Sequence, residues 1–442
     1  MLTEQQTETN QTNDRKYLVP FILITSLFFL WGFARAILDV LNKHFQNALH
    51  ISITHSALIQ VTTYLGYFLM AIPAGFFINR YGYRRGVVFG LLLFGVGALL
   101  FIPGAAVGSF SAFLLCLFII GCGLVFLETA ANPYVTIIGP IESAARRISI
   151  MGICNKFAGI ISPLIFAALI LKADDSELFA MIESGTLDAV TQSAMLDELI
   201  QRVIVPYAIL GVLLLLAGIS IRYSVLPEIN TDEQNATEEE ANGHSNKKSI
   251  FDVPYLILGA LAIFFHVGTQ VIAIDTIINY ANSMGMDLLE AKAFPSYTLA
   301  CTMIGYILGI IVIPKYLSQK NALIICTVLG LFLSFGVVFA DFNVTIFGHQ
   351  ANASIFFLNA LGFPNALIYA GIWPLSIHGL GRFTKTGSSL LIMGLCGNAI
   401  LPLIYGYFAD LYDLRTGYWV LIPCFLYLVF FAVKGHKITS WR

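Results

Sequence analysis

Twelve long apolar stretches, separated by short polar turns, run the length of this 442-residue chain. A helix needs about 20 mainly apolar residues to cross a bilayer. The stretches fall at 17–42, 56–79, 86–104, 110–138, 148–171, 203–225, 253–281, 293–314, 322–340, 345–377, 386–409 and 417–434. In lipid the backbone must satisfy its own hydrogen bonds, which helices do segment by segment. The pattern therefore predicts an all-α membrane protein, a bundle of twelve transmembrane helices in a lipid bilayer. With 57% of residues hydrophobic and 11% charged, and a mean hydropathy of +0.80, the chain has too little polar surface for a soluble domain.

A hydrophilic segment, Pro227 to Lys248 with the acidic run Glu238 to Glu240, divides the spans six and six. The expected organisation is a disordered tail at 1–16, a six-helix half at 17–225, a linker at 226–250 and a second half at 251–442. The tail lacks the apolar stretch of a cleavable signal. The halves echo each other: Gly75 to Arg85 follows the second span and Gly309 to Lys320 ends the eighth, each a glycine, an apolar turn and then basic residues. Such repetition marks a duplicated, pseudo-symmetric unit. If both termini are inside, 17 of the 24 Lys and Arg residues fall in inner segments, and five fall outside (Lys43, Lys172, Arg202, Lys292 and Arg415). The positive-inside rule thus places the chain in the cell membrane with cytoplasmic ends.

A formal charge of −2 without a clustered basic face excludes a general affinity for nucleic acid. All seven cysteines lie in apolar stretches and read as small buried hydrophobes, not as disulfides or metal ligands. No cofactor is called for.

Ionisable residues inside a span are costly, by about 2.5 to 3.5 kcal/mol on insertion scales, and so point to function. Five occur: Arg35 and Asp39 four apart on the first span, Glu128 in the fourth, Lys156 in the fifth and Asp275 in the seventh. Ion pairs that hold helices together account for some of them, Arg35 with Asp39 best of all. For the group that account is weaker, because buried pairs are often replaceable by apolar packing. Three acids against two bases leave a carboxylate able to take up and release a proton. Arg35, Lys156 and Asp275 are the candidate charge partners.

Neutral hydrogen-bonding groups accompany these charges: Gln60 and Tyr64, Asn132, Asn155, Gln270, Asn279, Asn359, Asn365 and Asn398. Side-chain amides donate and accept, as sugar hydroxyls do, although each also fits a plain hydrogen bond between helices. Trp31, Phe126, Tyr134, Tyr369 and Trp373 could stack on a sugar ring or simply fill the core. His266 reads as a satisfied core residue. Ala131-Asn-Pro133, Gly139-Pro140, Gly362-Phe-Pro364 and Trp373-Pro374 predict bends or breaks at which helices line a cavity.

Ser26-Leu-Phe-Phe-Leu-Trp31 followed by Asp39, the run Leu124-Val-Phe-Leu-Glu-Thr-Ala-Ala-Asn-Pro133, and Val267-Gly-Thr-Gln270 together resemble the fucose, galactose and glucose:proton symporter family of the major facilitator superfamily. The resemblance runs over nearly the whole chain. It implies that Asp39 and Glu128 handle the proton and couple it to sugar, and that Asn155 and Gln270 bind sugar. The chain departs from the family's fucose-transporting pattern at Arg35, Ala36, Gly152 and Lys156, which puts fucose in question. Asp275 adds an acid that could bind Na⁺ or pair with Lys156. Asn79 stands where the superfamily's loop motif has aspartate.

The expected function is a secondary transporter, not an enzyme, that imports a monosaccharide with protons by alternating access and works as a monomer. Gln60, Tyr64, Asn132, Asn155, Gln270, Asn365 and Trp373 are the expected sugar contacts. Alternatives are Na⁺-coupled or uncoupled sugar transport on the same fold, and a non-transporting sugar sensor. No nucleophile with a base stands out to favour a membrane enzyme.

Overall fold

A computed structural model of the chain describes residues 18–36, 53–107, 110–170, 189–224, 226–228, 249–286, 288–291, 293–346 and 348–441. Twelve principal helices are numbered here in chain order. In the first half these are α1 (Leu18–Ala36), α2 (Ile53–Tyr81), α3 (Tyr83–Val107), α4 (Phe110–Ile137), α5 (Ala144–Ile170) and α6 (Ala189–Arg222). In the second they are α7 (Pro254–Asp275), α8 (Phe294–Val312), α9 (Gln319–Phe339), α10 (Ala353–Ile377), α11 (Gly381–Leu411) and α12 (Leu414–Lys437). Among the described residues eleven helices are long and apolar enough to cross a membrane. The twelfth, α5, carries Arg146, Arg147 and Lys156. It packs against α4, α8 and α10, and so is shielded on those sides by protein.

Within the first half α3 lies between α4 and α6, and α2 lies on α4; within the second, α10 packs on α7, α8 and α9, and α7 on α11 and α12. Large apolar side chains such as Phe76, Ile209, Leu216, Ile311 and Phe332 remain exposed on the outside of the bundle, where lipid is their natural solvent. The halves meet through α2 with α11 and α5 with α8. At the end rich in Lys and Arg, a β-carbon on Gly75 of α2 would strike the Ser389 hydroxyl of α11, and Lys385 sits 5.7 Å from the centre of the Tyr83 ring. At the same end Ala145 N–H of α5 donates to Gln319 Oε1 at 3.3 Å. The bundle is shut there.

Helix ends account for several polar contacts, since the last four carbonyls of a helix lack intrahelical partners. The Arg147 guanidinium donates to the carbonyls of Val135 (2.8 Å), Thr136 (2.8 Å) and Pro140 (3.0 Å), which closes the end of α4 just before Gly139, whose φ of +148° lies in glycine's territory. Hydrogen bonds to charged groups contribute about 1.5 to 3 kcal/mol each. Arg147→Ala is therefore expected to destabilise the fold by roughly 3 kcal/mol, read as a lower unfolding temperature in detergent.

At the start of the linker, Glu228 accepts the backbone N–H groups of Tyr83 (2.9 Å) and Arg84 (3.1 Å), placing a carboxylate on the positive end of α3. Beside it Tyr134 donates to the Pro227 carbonyl at 3.0 Å. Glu228→Ala is expected to cost about 1 kcal/mol of stability, as loss of a helix cap does, and denaturation of the purified protein measures it.

Three predicted spans are redrawn. The sixth stretch begins at 203 by hydropathy, but α6 starts at Ala189. The tenth stretch begins at 345 by hydropathy, but Asn343–Ile346 and His349–Asn352 form an antiparallel hairpin. The helix starts only at Ala353, where the Asn352 side chain accepts the Ser354 N–H at 3.0 Å. The seventh stretch runs to 281 by hydropathy, yet α7 ends at Asp275 and a separate helix follows at Ile277–Ser283. Thr276 marks the break, its hydroxyl bonded back to Ile272 O (2.7 Å) and also 2.8 Å from Tyr418 Oη. Of the expected proline breaks, Pro133 and Pro374 are carried inside their helices, and the chain is interrupted at Leu361, ahead of Gly362. The tail at 1–16 and the linker from 229 to 248 lie outside the described residues.

Candidate functional site

A cavity of about 170 Å³ lies where the halves face each other. It is small for a ligand pocket, which suits a single small solute. Seven of the predicted site residues line it: Arg35, Tyr64, Glu128, Asn132, Asn155, Lys156 and Gln270. They come from α1, α2, α4, α5 and α7, so the site exists only when the two halves are assembled.

Glu128 stands one helical turn before Asn132 on α4, and the shared face points both into the cavity. Its Oε1 accepts the Tyr67 hydroxyl at 3.0 Å. Tyr64 and Tyr67 are three apart on α2 with ring centres 5.5 Å apart, and Arg35 donates to the Tyr64 hydroxyl at 2.5 Å. A wall running from guanidinium through two phenols to carboxylate results. Across the cavity Asn155 donates to the Phe28 carbonyl of α1 at 3.1 Å; Gly32 allows this approach, since a β-carbon there would strike the Asn155 amide. Asn132 donates to the Tyr369 hydroxyl at 3.2 Å, joining α4 to α10 across the halves. Trp31 lies 4.0 Å from Phe28, centre to centre, and both line the cavity.

Other predicted site residues stand elsewhere. Asn365 (1% exposed) and Trp373 (0%) are buried in the body of α10 and do not line the cavity; Tyr369, between them in sequence, does. Asp275 is exposed at the end of α7, outside the cavity wall but within electrostatic reach of Lys156. His266 is buried as expected, although its Nδ1 has no hydrogen-bond partner. Asp39 and the side chain of Gln60 lie outside the described residues.

Tyr67 and Tyr306 were not foreseen. Tyr67 had a signal, its i, i+3 spacing from Tyr64 on one helix face. Tyr306 had none in sequence, because its place depends on α8 packing against α5. A β-carbon on Gly152 would fall 2.6 Å from its ring, so the tyrosine fills room that the glycine leaves.

Residues 24–396 match the Major Facilitator Superfamily. The chain is 29% identical over 438 residues to a glucose/galactose transporter of Brucella abortus, covering 98% of each. To the L-fucose-proton symporter of Escherichia coli it is 30% identical over 421 residues, covering 95% of this chain and 93% of that one. The crystal structure of the transporter FucP in the outward conformation superposes with a TM-score of 0.79 at 28% identity, over 96% of this chain and 100% of that chain. With twelve helices in two facing halves and a polar cavity between them, the chain belongs to the Major Facilitator Superfamily, a family of multi-pass membrane transporters and not of enzymes.

Proposed function

We propose that the chain imports a monosaccharide together with a proton by alternating access, with Asp39 and Glu128 handling the proton. The observation that carries this reading is the Glu128 carboxylate in the cavity wall, beside amides able to hold sugar hydroxyls and aromatic rings able to stack on a sugar face. The relatives named as glucose/galactose and L-fucose-proton transporters support it. In the proposed cycle, protonation from outside favours sugar binding between the halves. Parting of α2 from α11 and of α5 from α8 then opens the basic end, and the proton leaves inward. Cargo and proton bias the same equilibrium because each prefers one conformer.

The protein works as a monomer with both termini cytoplasmic, its halves at 17–225 and 251–442 rocking about the 226–250 linker, and it needs no cofactor besides the coupling ion. Sugar-induced alkalinisation in de-energised vesicles tests this, with L-fucose, D-glucose, D-galactose, D-mannose and N-acetylglucosamine as the panel. An alkaline shift with uptake of one sugar is expected. Uptake without a shift, restored by Na⁺, would replace the proton by sodium, and absence of any sugar uptake would remove the assignment.

A further inference from the structure

We infer that Tyr306 of α8 is a specificity-determining residue: its hydroxyl bonds one hydroxyl of the sugar, and its ring limits the cargo to a single sugar unit. The inference rests on the sugar-carrier reading above and narrows its substrate class. Four tyrosines line the cavity, namely Tyr64, Tyr67, Tyr306 and Tyr369. Three of their hydroxyls are engaged, Tyr64 with Arg35, Tyr67 with Glu128 and Tyr369 with Asn132. Tyr306 is only 7% exposed, and among the described residues its hydroxyl makes no hydrogen bond. A buried phenol without a partner is costly, and a sugar hydroxyl entering the cavity can both donate to it and accept from it.

Packing fixes where that hydroxyl points. Gly305 and Gly309 are one turn apart on α8, and a β-carbon on either would strike α10, at the Phe363 carbonyl and at Leu367 respectively. With 3.6 residues per turn, Tyr306 stands about 100° round the helix from Gly305 and so is turned away from that contact. Its ring meets α5 instead, where a β-carbon on Gly152 would lie 2.6 Å from Cζ and 2.8 Å from the hydroxyl oxygen.

The phenol therefore reaches from the second half to the first across the cavity wall. Its ring occupies volume that would otherwise belong to a cavity of about 170 Å³, already small for a ligand pocket. A second sugar unit has no place there. Discrimination follows both by the position of a hydroxyl and by the length of the cargo, since a site built to bond a hydroxyl rejects the analogue that lacks it.

The test is uptake by the purified full-length protein in proteoliposomes, first with labelled L-fucose, D-glucose, D-galactose, D-mannose and N-acetylglucosamine. For the sugar carried, its monodeoxy analogues and a disaccharide bearing it at the non-reducing end (maltose for glucose, lactose for galactose) then serve as competitors. The native protein is expected to exclude the disaccharide. In Tyr306→Phe the half-saturating concentration of the sugar should rise about tenfold. The penalty for removing one particular sugar hydroxyl should vanish in that variant while the others persist, which a loss of packing would not produce. In Tyr306→Ala the disaccharide should begin to inhibit. An unchanged half-saturation and deoxy profile in Tyr306→Phe would overturn the hydroxyl contact. Inhibition of the native protein by the disaccharide, or its continued exclusion by folded Tyr306→Ala, would overturn the limit on length. Either result leaves the sugar carrier standing; if the native protein takes up no sugar of the panel, that carrier reading itself falls.

Discussion

Replacing Glu128 by glutamine is expected to abolish accumulation of cargo while leaving exchange across the membrane. A gradient of two pH units supplies about 2.7 kcal/mol per proton, enough to hold roughly a hundredfold concentration ratio. Without a dissociable proton at this position the ratio should fall to one. Glutamine keeps the shape of the side chain and still accepts from Tyr67, whose hydroxyl bonds Oε1 at 3.0 Å in the native wall, so the fold should survive. Counterflow, in which labelled cargo enters as unlabelled cargo leaves, separates the two effects. Retained counterflow with lost accumulation is the expected pair of results; undiminished accumulation would move the proton to another group.

The largest structural effect is expected at Gly362. A β-carbon there would collide with the Thr298 carbonyl of α8, and one at Gly305 of α8 would collide with the Phe363 carbonyl of α10. The two glycines thus face the partner backbone reciprocally, the close approach that small residues permit between membrane helices. Backbone atoms cannot swing aside as a lysine tip can. Overpacking a well-filled site costs about 1 to 3 kcal/mol even where side chains can adjust, and here they cannot. Gly362→Leu should therefore lose more than about 3 kcal/mol and most of its folded yield in detergent. Gly406, around which a β-carbon would meet nothing within 4 Å, is the control: Gly406→Ala should stay within roughly 1 kcal/mol, its helix propensity offsetting any loss.

The membrane helices could be read from hydropathy because the bilayer imposes one length and one polarity on every span. Where the chain leaves that regime, hydropathy misleads: Thr345 and Ile346 look like the start of the tenth span, yet they sit in a hairpin whose side chains alternate between exposed and half-buried. Charges in the cavity wall were visible for the same reason that spans were. Glu128 and Lys156 stand out against apolar neighbours, and no pairing within their own helices explains them. Facing was harder. Asn365 and Trp373 are the expected contacts on α10, and Tyr369 lies four residues from each on the same helix face. Only the middle one reaches the cavity, since where a helix leans against its neighbours decides how much of a face is open, and the i, i+4 rule does not contain that tilt.

The closure at the basic end has a consequence for how the protein responds to its surroundings. At that end the described contacts between the halves include Gly75 of α2 against Ser389 of α11, Lys385 of α11 near the Tyr83 ring of α3, and the Ala145 amide of α5 on Gln319 of α9. None of these pairs opposite charges. Ion pairs on an aqueous rim weaken as electrolyte is added, whereas close packing and neutral hydrogen bonds do not depend on it in that way. The balance between shut and open forms should then be nearly indifferent to ionic strength, so that a rise from dilute buffer to molar potassium chloride leaves the seal as it was.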